Sequence, residues 1–370
     1  MKKNAMLFIL AIFSLLLIIS CQTKESIIKE STESGTSGTI ETLPTPPLAE
    51  KKAYQHSEHD VIRQDPWYWL RERENPDVIS YLNAENVYTD TMMADTEELQ
   101  TQLYDEMVGR IKQDDASVPY FLNGYYYYNR YEEDQEYPIY ARKKGNLNAE
   151  EEILLNVNDM AKGFAYYRVS GLRVSENNQF LAFAVDTVSR RKYTLYIKDL
   201  SSGSLLEDHI DNTTGRSAWA ADNKTLFFDR KDETLRPFEI YRYTLGIIDS
   251  ETLVYHEPED TYASFVYKSK SRKYIIIGSE STLSSEYRRI PADAPLSEPR
   301  VIHQREADIL YQIDHYKESF YIFTNDNAIN FRLMKCPVND TAKEKWSEVI
   351  AHRPDVLLEG FEIFSDYYVL

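Results

Sequence analysis

Residues 181–200 read LAFAVDTVSRRKYTLYIKDL. This stretch holds two segments, 181–186 and 193–200, in which aromatic, β-branched and other apolar residues are frequent, as in β-strands. Polar residues separate the segments, so the pattern predicts a pair of strands joined by a turn. The second segment alternates apolar with polar or basic residues, which is typical of a strand whose two faces differ in burial.

The same paired pattern recurs from residue 118 onward. The first members of the pairs begin at residues 125, 181, 226, 274, 320 and 367, so the intervals are 56, 45, 48, 46 and 47 residues. A period near 46 residues, with room for four short strands and their turns, predicts the blades of a β-propeller. A β-sandwich or an irregular β-rich domain is the alternative, and the steady spacing disfavours it.

The repeats give five full units and the opening of a sixth, residues 367–370, for which the sequence offers no partner strand. A propeller closes its ring because closure removes exposed strand edges. We therefore expect a mainly β chain in which residues 118–370 form an incomplete propeller domain. We also expect the sequence to be truncated before the ring closes.

The amino-acid composition agrees with a folded, strand-rich protein. Of the 370 residues, 42% are hydrophobic, and 29 are Tyr against only 12 Gly. The formal net charge of −18 opposes non-specific nucleic-acid binding, which needs a basic surface, so we expect no nucleic-acid partner. The two cysteines, Cys21 and Cys336, are too few for a disulfide framework.

The first 21 residues have the pattern of a targeting signal. Two lysines precede an apolar run over residues 5–19, which is short for a membrane span and suits a secretory signal. Residues 18–21 (IISC) resemble a bacterial lipobox, so Cys21 is the predicted lipidation site at the end of a lipoprotein signal peptide, residues 1–21. An ordinary signal peptide, or an anchor helix that happens to end in Cys, is the alternative.

Residues 22–52 are dominated by Ser, Thr, Gly, Glu and Pro, which predicts a flexible tether. Two or three acyl chains on Cys21 would anchor such a tether stably in a membrane. We therefore expect a lipoprotein of the bacterial cell envelope, anchored in a membrane and either facing the periplasm or in the outer membrane.

A helical segment is predicted between the tether and the propeller, over residues 53–117. Asn75 followed by Pro76 predicts the start of one helix, and Thr96 is the predicted cap of a second. The second helix carries an apolar stripe at helical spacing, consisting of Leu99, Leu103 and Met107. Three aromatic residues at 67–69 precede the helices, and both features need a surface to cover them.

The sequence contains no convincing catalytic constellation. No G-x-S-x-G motif occurs, and the nearest approach, residues 215–219 (GRSAW), is best explained by a structural role at a blade boundary. His56 and His59 are close together but have no Cys nearby, and the acidic stretch 132–136 fits a solvated hairpin turn. We therefore assign no catalytic, metal-binding or cofactor-binding residue, and Cys21 is the one predicted site.

Several stretches resemble a known family. Residues 65–71 (DPWYWLR), 75–78 (NPDV), 81–82 and 85–86 resemble the N-terminal signature of the prolyl oligopeptidase family of serine peptidases. Others are similar to its oligopeptidase B (protease II) branch, namely residues 123–128, 136–140, 189–193, 260–262 and 357–361. The resemblance runs from about residue 51 to residue 370.

The resemblance implies a seven-bladed propeller, of which about five blades and the start of a sixth are present. In the family the propeller caps an α/β-hydrolase domain that follows it in the chain, and the N-terminal helices pack on that domain. The catalytic Ser, Asp and His lie in the hydrolase domain. That domain is missing from this chain, so no catalytic residue is transferred to it and we expect the chain as given to be inactive.

The implied activity is that of a serine endopeptidase that hydrolyses short peptides after Arg or Lys, with the propeller restricting access by size. The partners implied by the resemblance are short basic peptides and the protein's own hydrolase domain. The lipobox-like sequence, which lies outside the resemblance, adds a membrane reached through the lipid anchor. No cofactor is implied. The alternative is a non-catalytic propeller lipoprotein that acts as a binding module.

Overall fold

A computed structural model describes residues 44–247 and 250–370. The described residues divide into two compact units, one ending at Ile111 and the other spanning Lys112–Leu370. The predicted signal peptide, most of the predicted tether and Cys21 lie outside the described residues. No helix in the described ranges is both long enough and apolar enough to cross a membrane.

The first unit contains a β-hairpin followed by helices. Its elements are β1 (Gln55–Glu58), β2 (Val61–Gln64), a 3-10 turn (Tyr68–Arg71), α1 (Pro76–Met93), a second 3-10 turn (Ala94–Thr96) and α2 (Glu97–Gly109). The hairpin was not predicted, because its strands are short, exposed and polar. The side chain of Asn75 accepts a hydrogen bond from the Asp77 amide at 2.9 Å, which confirms the predicted start of α1.

Thr96 is the residue immediately before α2, as predicted, but its side chain does not cap the helix. The Thr96 hydroxyl donates to the Met93 carbonyl oxygen at 2.6 Å and makes no capping hydrogen bond to α2. The backbone runs from α1 through the 3-10 turn directly into α2, so the helical hydrogen bonding is nearly continuous there and a capping side chain is not required.

The apolar stripe on α2 is exposed within the first unit. Leu99, Leu103 and Met107 are 53%, 46% and 59% exposed. The aromatic cluster is divided, because Trp67 is 46% exposed whereas Trp69 is buried and its indole Nε1 donates to the Glu50 carbonyl oxygen at 2.9 Å. The stripe and Trp67 therefore remain open surfaces of this unit, as the sequence led us to expect.

The second unit contains five four-stranded antiparallel sheets, each formed by strands that are consecutive in sequence. Sheet 1 consists of β3 (Tyr120–Leu122), β4 (Tyr125–Arg130), β5 (Ile139–Lys144) and β6 (Glu151–Asn156), and is followed by the one-turn helix α3 (Val157–Met160). Sheet 2 consists of β7 (Arg168–Val174), β8 (Phe180–Asp186), β9 (Tyr193–Asp199) and β10 (Leu205–Thr213).

The next three sheets repeat this arrangement. Sheet 3 consists of β11 (Ser217–Trp219), β12 (Thr225–Lys231), β13 (Pro237–Thr244) and β14 (Thr252–His256). Sheet 4 consists of β15 (Ala263–Lys268), β16 (Tyr274–Glu280), β17 (Ser285–Pro291) and β18 (Arg300–His303). Sheet 5 consists of β19 (Tyr311–Tyr316), β20 (Ser319–Thr324), β21 (Arg332–Pro337) and β22 (Ser347–Ile350), with a 3-10 turn at Lys343–Lys345.

A sixth sheet has two strands, β23 (Glu362–Ile363) and β24 (Tyr368–Val369), which pair antiparallel. The prediction that residues 367–370 have no partner strand is therefore wrong, because the partner precedes them in the sequence. Five four-stranded sheets and the start of a sixth confirm the predicted incomplete propeller.

The strand pairs read from the sequence are the second and third strands of each sheet. In sheet 2 every residue of β8 from Leu181 to Asp186 is buried, because each face of the sheet packs against a neighbouring sheet. Leu181 and Phe183 pack towards sheet 1, whereas Ala182 and Ala184 pack towards sheet 3. The fourth strands are more exposed and polar, so they lack this apolar pattern.

Candidate functional site

The residues of chemical interest in the sequence do not converge on one site. Residues 215–219 lie at the link between sheets 2 and 3, as predicted, and Ser217 is buried at the start of β11. Its hydroxyl has no hydrogen-bond partner among the described residues. It therefore has no base to activate it in this part of the chain, which agrees with a structural role.

His56 and His59 also remain separate. The His56 Nε2 lies 3.3 Å from an oxygen of the Asp65 carboxylate, whereas His59 is in the β1–β2 turn with a positive φ of 51°. Residues 132–136 lie in the exposed turn between β4 and β5. Across residues 44–247 and 250–370, no three His, Cys, Asp or Glu side chains are grouped so that they could hold a metal ion.

The topology instead brings four separate segments together at one edge. In each four-stranded sheet the first strand begins where the second strand ends, because neighbouring strands are antiparallel. We call this the leading edge of the sheets. Residues 187–192, 214–216, 232–236 and 257–262 connect strands at the leading edges of sheets 2, 3 and 4.

A cavity of about 550 Å³ opens at the leading edges of sheets 2, 3 and 4. We call it the basic cavity, because it is lined by one carboxylate, Asp229, and by five cationic side chains, namely Arg168, Arg191, Arg216, Lys231 and Arg236. Phe265 and Tyr193 add aromatic surface to its wall. Five cations in one cavity contrast with the net charge of −18 of the chain.

Two aspartates fix the loops that carry these cations. The buried Asp186 accepts hydrogen bonds from the amides of Val188 and Arg191 at 2.9 and 2.7 Å, which holds the β8–β9 loop. In the β12–β13 loop, Asp232 accepts from the Arg236 amide at 3.1 Å and pairs with its guanidinium at 3.0 Å. The loop backbones at the cavity are therefore held in place by their own side chains.

The floor of the cavity is buried. Lys231 is 5% exposed, and its ammonium donates to the Arg191 carbonyl oxygen, which connects the loops of sheets 2 and 3. Burial lowers the pKa of Lys231. Asp229 is fully buried and accepts a hydrogen bond from the Thr214 amide at 2.7 Å, and burial raises its pKa.

The rim of the cavity is cationic and accessible. Arg168, Arg191 and Arg216 are exposed, and within the described part of the chain no carboxylate oxygen lies within 4.0 Å of their side-chain nitrogens. The Arg216 guanidinium lies 5.3 Å from the centre of the Phe265 ring. The cavity thus presents three arginines whose charges no carboxylate of residues 44–247 and 250–370 neutralises at contact distance.

A second cavity, of about 620 Å³, lies between sheets 1 and 2 and is lined mainly by aromatic and aliphatic residues. Tyr120, Tyr127, Tyr128 and Tyr140 contribute to it. Burial, together with a hydrogen bond to Glu151, raises the pKa of Tyr128 to about 12. These tyrosines are protonated and apolar in character at neutral pH, so part of the high Tyr content serves packing between the sheets.

Sequence reasoning missed the basic cavity because its residues come from segments nearly a hundred residues apart. The one local signal was the basic run 190–192, which is part of the family-like stretch 189–193. Lys231 ends the second strand of sheet 3, and Arg191 lies just before the third strand of sheet 2. An alignment of the repeats by their second strands would therefore have placed both residues at the leading edge.

Comparison of the chain with models of known protein families identifies the family of this sheet arrangement. The family described as prolyl oligopeptidase, N-terminal beta-propeller domain, matches residues 46–370. The chain belongs to the prolyl oligopeptidase family. The stacked sheets are thus its propeller, and the N-terminal hairpin and helices precede that propeller as the sequence resemblance implied.

Individual members of the prolyl oligopeptidase family are similar over the same region. Dipeptidyl aminopeptidase BI of Pseudoxanthomonas mexicana is 41% identical over 88% of this chain and 48% of its own length. Protease 2 of Moraxella lacunata is 35% identical over 86% of this chain and 47% of its own length. The solved structure of oligopeptidase B from Leishmania major matches with a TM-score of 0.80 and 28% identity, over 88% of this chain and 48% of that chain.

The chain spans about half the length of the curated relatives that it matches. The matching half is the propeller half, and residues 44–247 and 250–370, which the structure describes, contain no α/β-hydrolase domain. This confirms the predicted family and fold class.

Proposed function

We propose that this chain is the N-terminal propeller portion of an oligopeptidase B-like serine endopeptidase that cleaves short peptides after Arg or Lys. The observation that carries the proposal is the family match over residues 46–370, combined with similarity to peptidases named protease 2 and oligopeptidase B. The chemistry belongs to the hydrolase domain, where Ser attacks the scissile carbonyl, His acts as the base and Asp orients the His.

The propeller contributes access control in this proposal. A ring of sheets above a catalytic domain leaves only a narrow route, so short flexible peptides reach the active site whereas folded proteins do not. The net charge of −18 would also attract basic peptides at long range. A kcat/KM for Arg peptides that decreases with ionic strength supports that attraction, and one indifferent to salt opposes it.

The test compares two proteins, the 370-residue chain and the product of the whole reading frame that contains it. Chromogenic peptides with Arg, Lys or Pro before the scissile bond are the substrates. We expect the 370-residue chain to be inactive and the whole product to cleave the Arg and Lys peptides in a reaction that serine-directed inhibitors block. Serine-inhibitor-sensitive turnover by the 370-residue chain, or preference for Pro, contradicts the proposal.

A second candidate activity is the release of dipeptides from peptide N-termini, because the relative at 41% identity is named dipeptidyl aminopeptidase BI. Mass spectrometry of the products separates the two. Dipeptides released one after another from a free N-terminus, and no cleavage after N-terminal acetylation, support the second candidate. Internal cleavage that is unaffected by acetylation supports the endopeptidase.

The non-catalytic alternative, a propeller lipoprotein that serves as a binding module, predicts an in-frame stop after codon 370 and a folded monomeric chain. For either function we propose attachment to the bacterial cell envelope through a lipid on Cys21. The support is the lipobox-like sequence at residues 18–21 and the tether-like composition of residues 22–52.

A further inference from the structure

We propose that the basic cavity binds the C-terminal carboxylate of the peptide substrate and so places the peptide relative to the hydrolase domain. The inference rests on the proposed peptidase function and assigns the cavity between sheets 2, 3 and 4 as a substrate-recognition site. Every unmodified short peptide carries this carboxylate, whatever its sequence, so such a site would act on the whole substrate class.

The chemistry of the rim fits a carboxylate. A guanidinium group presents a planar set of N–H donors that matches the two oxygens of a carboxylate, and Arg–carboxylate pairs are stronger than neutral hydrogen bonds. Arg168, Arg191 and Arg216 all face the cavity, and the part of the chain that the structure describes leaves them without a carboxylate partner within 4.0 Å. A substrate carboxylate would supply the missing negative charge.

The loops and the floor of the basic cavity are held in place by the protein's own hydrogen bonds, so the site is preorganised. Asp186 and Asp232 fix the two loops, and the buried Lys231 connects them through the Arg191 carbonyl oxygen. Lys231 is buried in the cavity floor with 5% of the residue exposed, and no carboxylate among the described residues pairs with its ammonium within 4.0 Å. Fixed donors lose little conformational freedom on binding, so they favour recognition of one group in one place.

The cavity also has the right character for one end of a peptide. Its volume of about 550 Å³ is in the range of small-ligand sites, and the aromatic rings of Phe265 and Tyr193 can shield an ion pair from water. Arg236 is already paired with Asp232, so the exposed arginines, not Arg236, are the groups available to a ligand.

The experiment uses the product of the whole reading frame and two series of peptides of increasing length, each with a central Arg. One series ends in a free carboxylate and the other in a carboxamide. At low ionic strength we expect kcat/KM to be about tenfold higher for the free acids once the peptide is long enough to reach the cavity, since charged hydrogen bonds are the strong ones.

Two variants locate the effect. Arg191→Gln combined with Arg216→Gln should abolish the preference for the acid, because both guanidinium groups are lost while the backbone contacts remain. Arg190→Gln is the matched control, since Arg190 is exposed and adjacent in sequence but does not line the cavity. It removes the same charge and should keep the preference. Circular dichroism verifies folding, and if the double variant is unfolded, Arg191→Gln alone is used.

The possible results separate failure of the carboxylate site from failure of the proposed peptidase function. Equal rates for acids and amides, or a preference that survives in the double variant, overturn the inference. Inorganic phosphate that binds at the cavity without any preference for peptide acids also overturns it, because the site would then bind free anions. If no peptide is cleaved, the proposed function fails, and calorimetric titration of the same peptides tests the cavity separately, with the same expectations for acid, amide and variants.

Discussion

The indole Nε1 of Trp219 donates a hydrogen bond of 2.9 Å to the carbonyl oxygen of Arg173, 46 residues earlier in the chain. The two residues lie in the first strands of neighbouring sheets, β11 and β7. The Asn177 amide and the Asn223 side chain, which also join sheets 2 and 3, have the same separation of 46 residues at 2.9 Å. The period read from the sequence is thus the distance along the chain between groups that connect one blade to the next.

Trp219→Phe removes this connection and part of a fully packed side chain. We expect a loss of about 2 kcal/mol in the free energy of unfolding, from the missing hydrogen bond and the space left by the smaller ring. Trp346→Phe is the control, because its indole donates at 3.1 Å to the Thr341 carbonyl oxygen within the connection between β21 and β22. Urea unfolding of both variants should show the larger loss for Trp219→Phe, and equal losses would contradict a role in joining the sheets.

Gly171→Ala should destabilise the propeller strongly. Gly171 has a φ of +65°, and a Cβ there would overlap the carbonyl oxygen of Gly215 in the link between sheets 2 and 3. Gly203→Ala provides the control, since Gly203 has a φ of +76° but open space around it. We expect about 1 kcal/mol for the control and roughly 3 kcal/mol or more for Gly171→Ala. The midpoints of thermal unfolding measure both effects. Similar midpoints for the two variants would show that the backbone around Gly215 moves to make room for the added Cβ.

His315 should make stability depend on pH. Burial lowers the pKa of the His315 imidazole to about 4, against about 6.5 in the unfolded chain. Between these values the unfolded chain binds the proton more tightly, so the stability that His315 confers is complete above pH 6.5 and is lost as the pH falls towards 4. Burial raises the pKa of the neighbouring Asp314 to about 6, which has the opposite effect over part of this range.

The comparison is therefore between the parent and His315→Gln, in which Asp314 is unchanged. The parent should lose roughly 3 kcal/mol relative to the variant between pH 6.5 and pH 4. Urea titrations at half-unit pH steps provide the measurement. Parallel pH profiles would mean that the imidazole titrates in the folded protein as it does in the unfolded chain.

Cys21→Ser should abolish incorporation of radiolabelled palmitate when the protein is produced in a bacterium. Cys336→Ala is the control, because Cys336 is buried on β21 and its removal leaves the lipobox-like sequence intact. Globomycin should cause accumulation of the unprocessed form of the parent. Undiminished labelling of Cys21→Ser would exclude Cys21 as the lipidation site.

The sequence was most informative where a strand is buried on both faces. Runs such as Leu181–Val185 are apolar throughout, so the second strands, their spacing and the number of blades could be predicted. Short first strands such as Ser217–Trp219 and the polar hairpin of β1 and β2 carry too few apolar residues to be recognised. The basic cavity is lined by side chains from sheets 2, 3 and 4, which come together only after all three sheets have folded, so no local sequence pattern predicts it.

The division into consecutive sheets determines the order in which the propeller can form. Every four-stranded sheet is complete within its own stretch of chain, so each can assemble while later residues are still being synthesised. Some ion pairs, such as Lys268–Glu176 and Lys270–Glu362, join residues 92 positions apart and form only after the intervening sheet is in place. Folding of the nascent chain should therefore advance sheet by sheet from the N-terminus, with these surface charges meeting late.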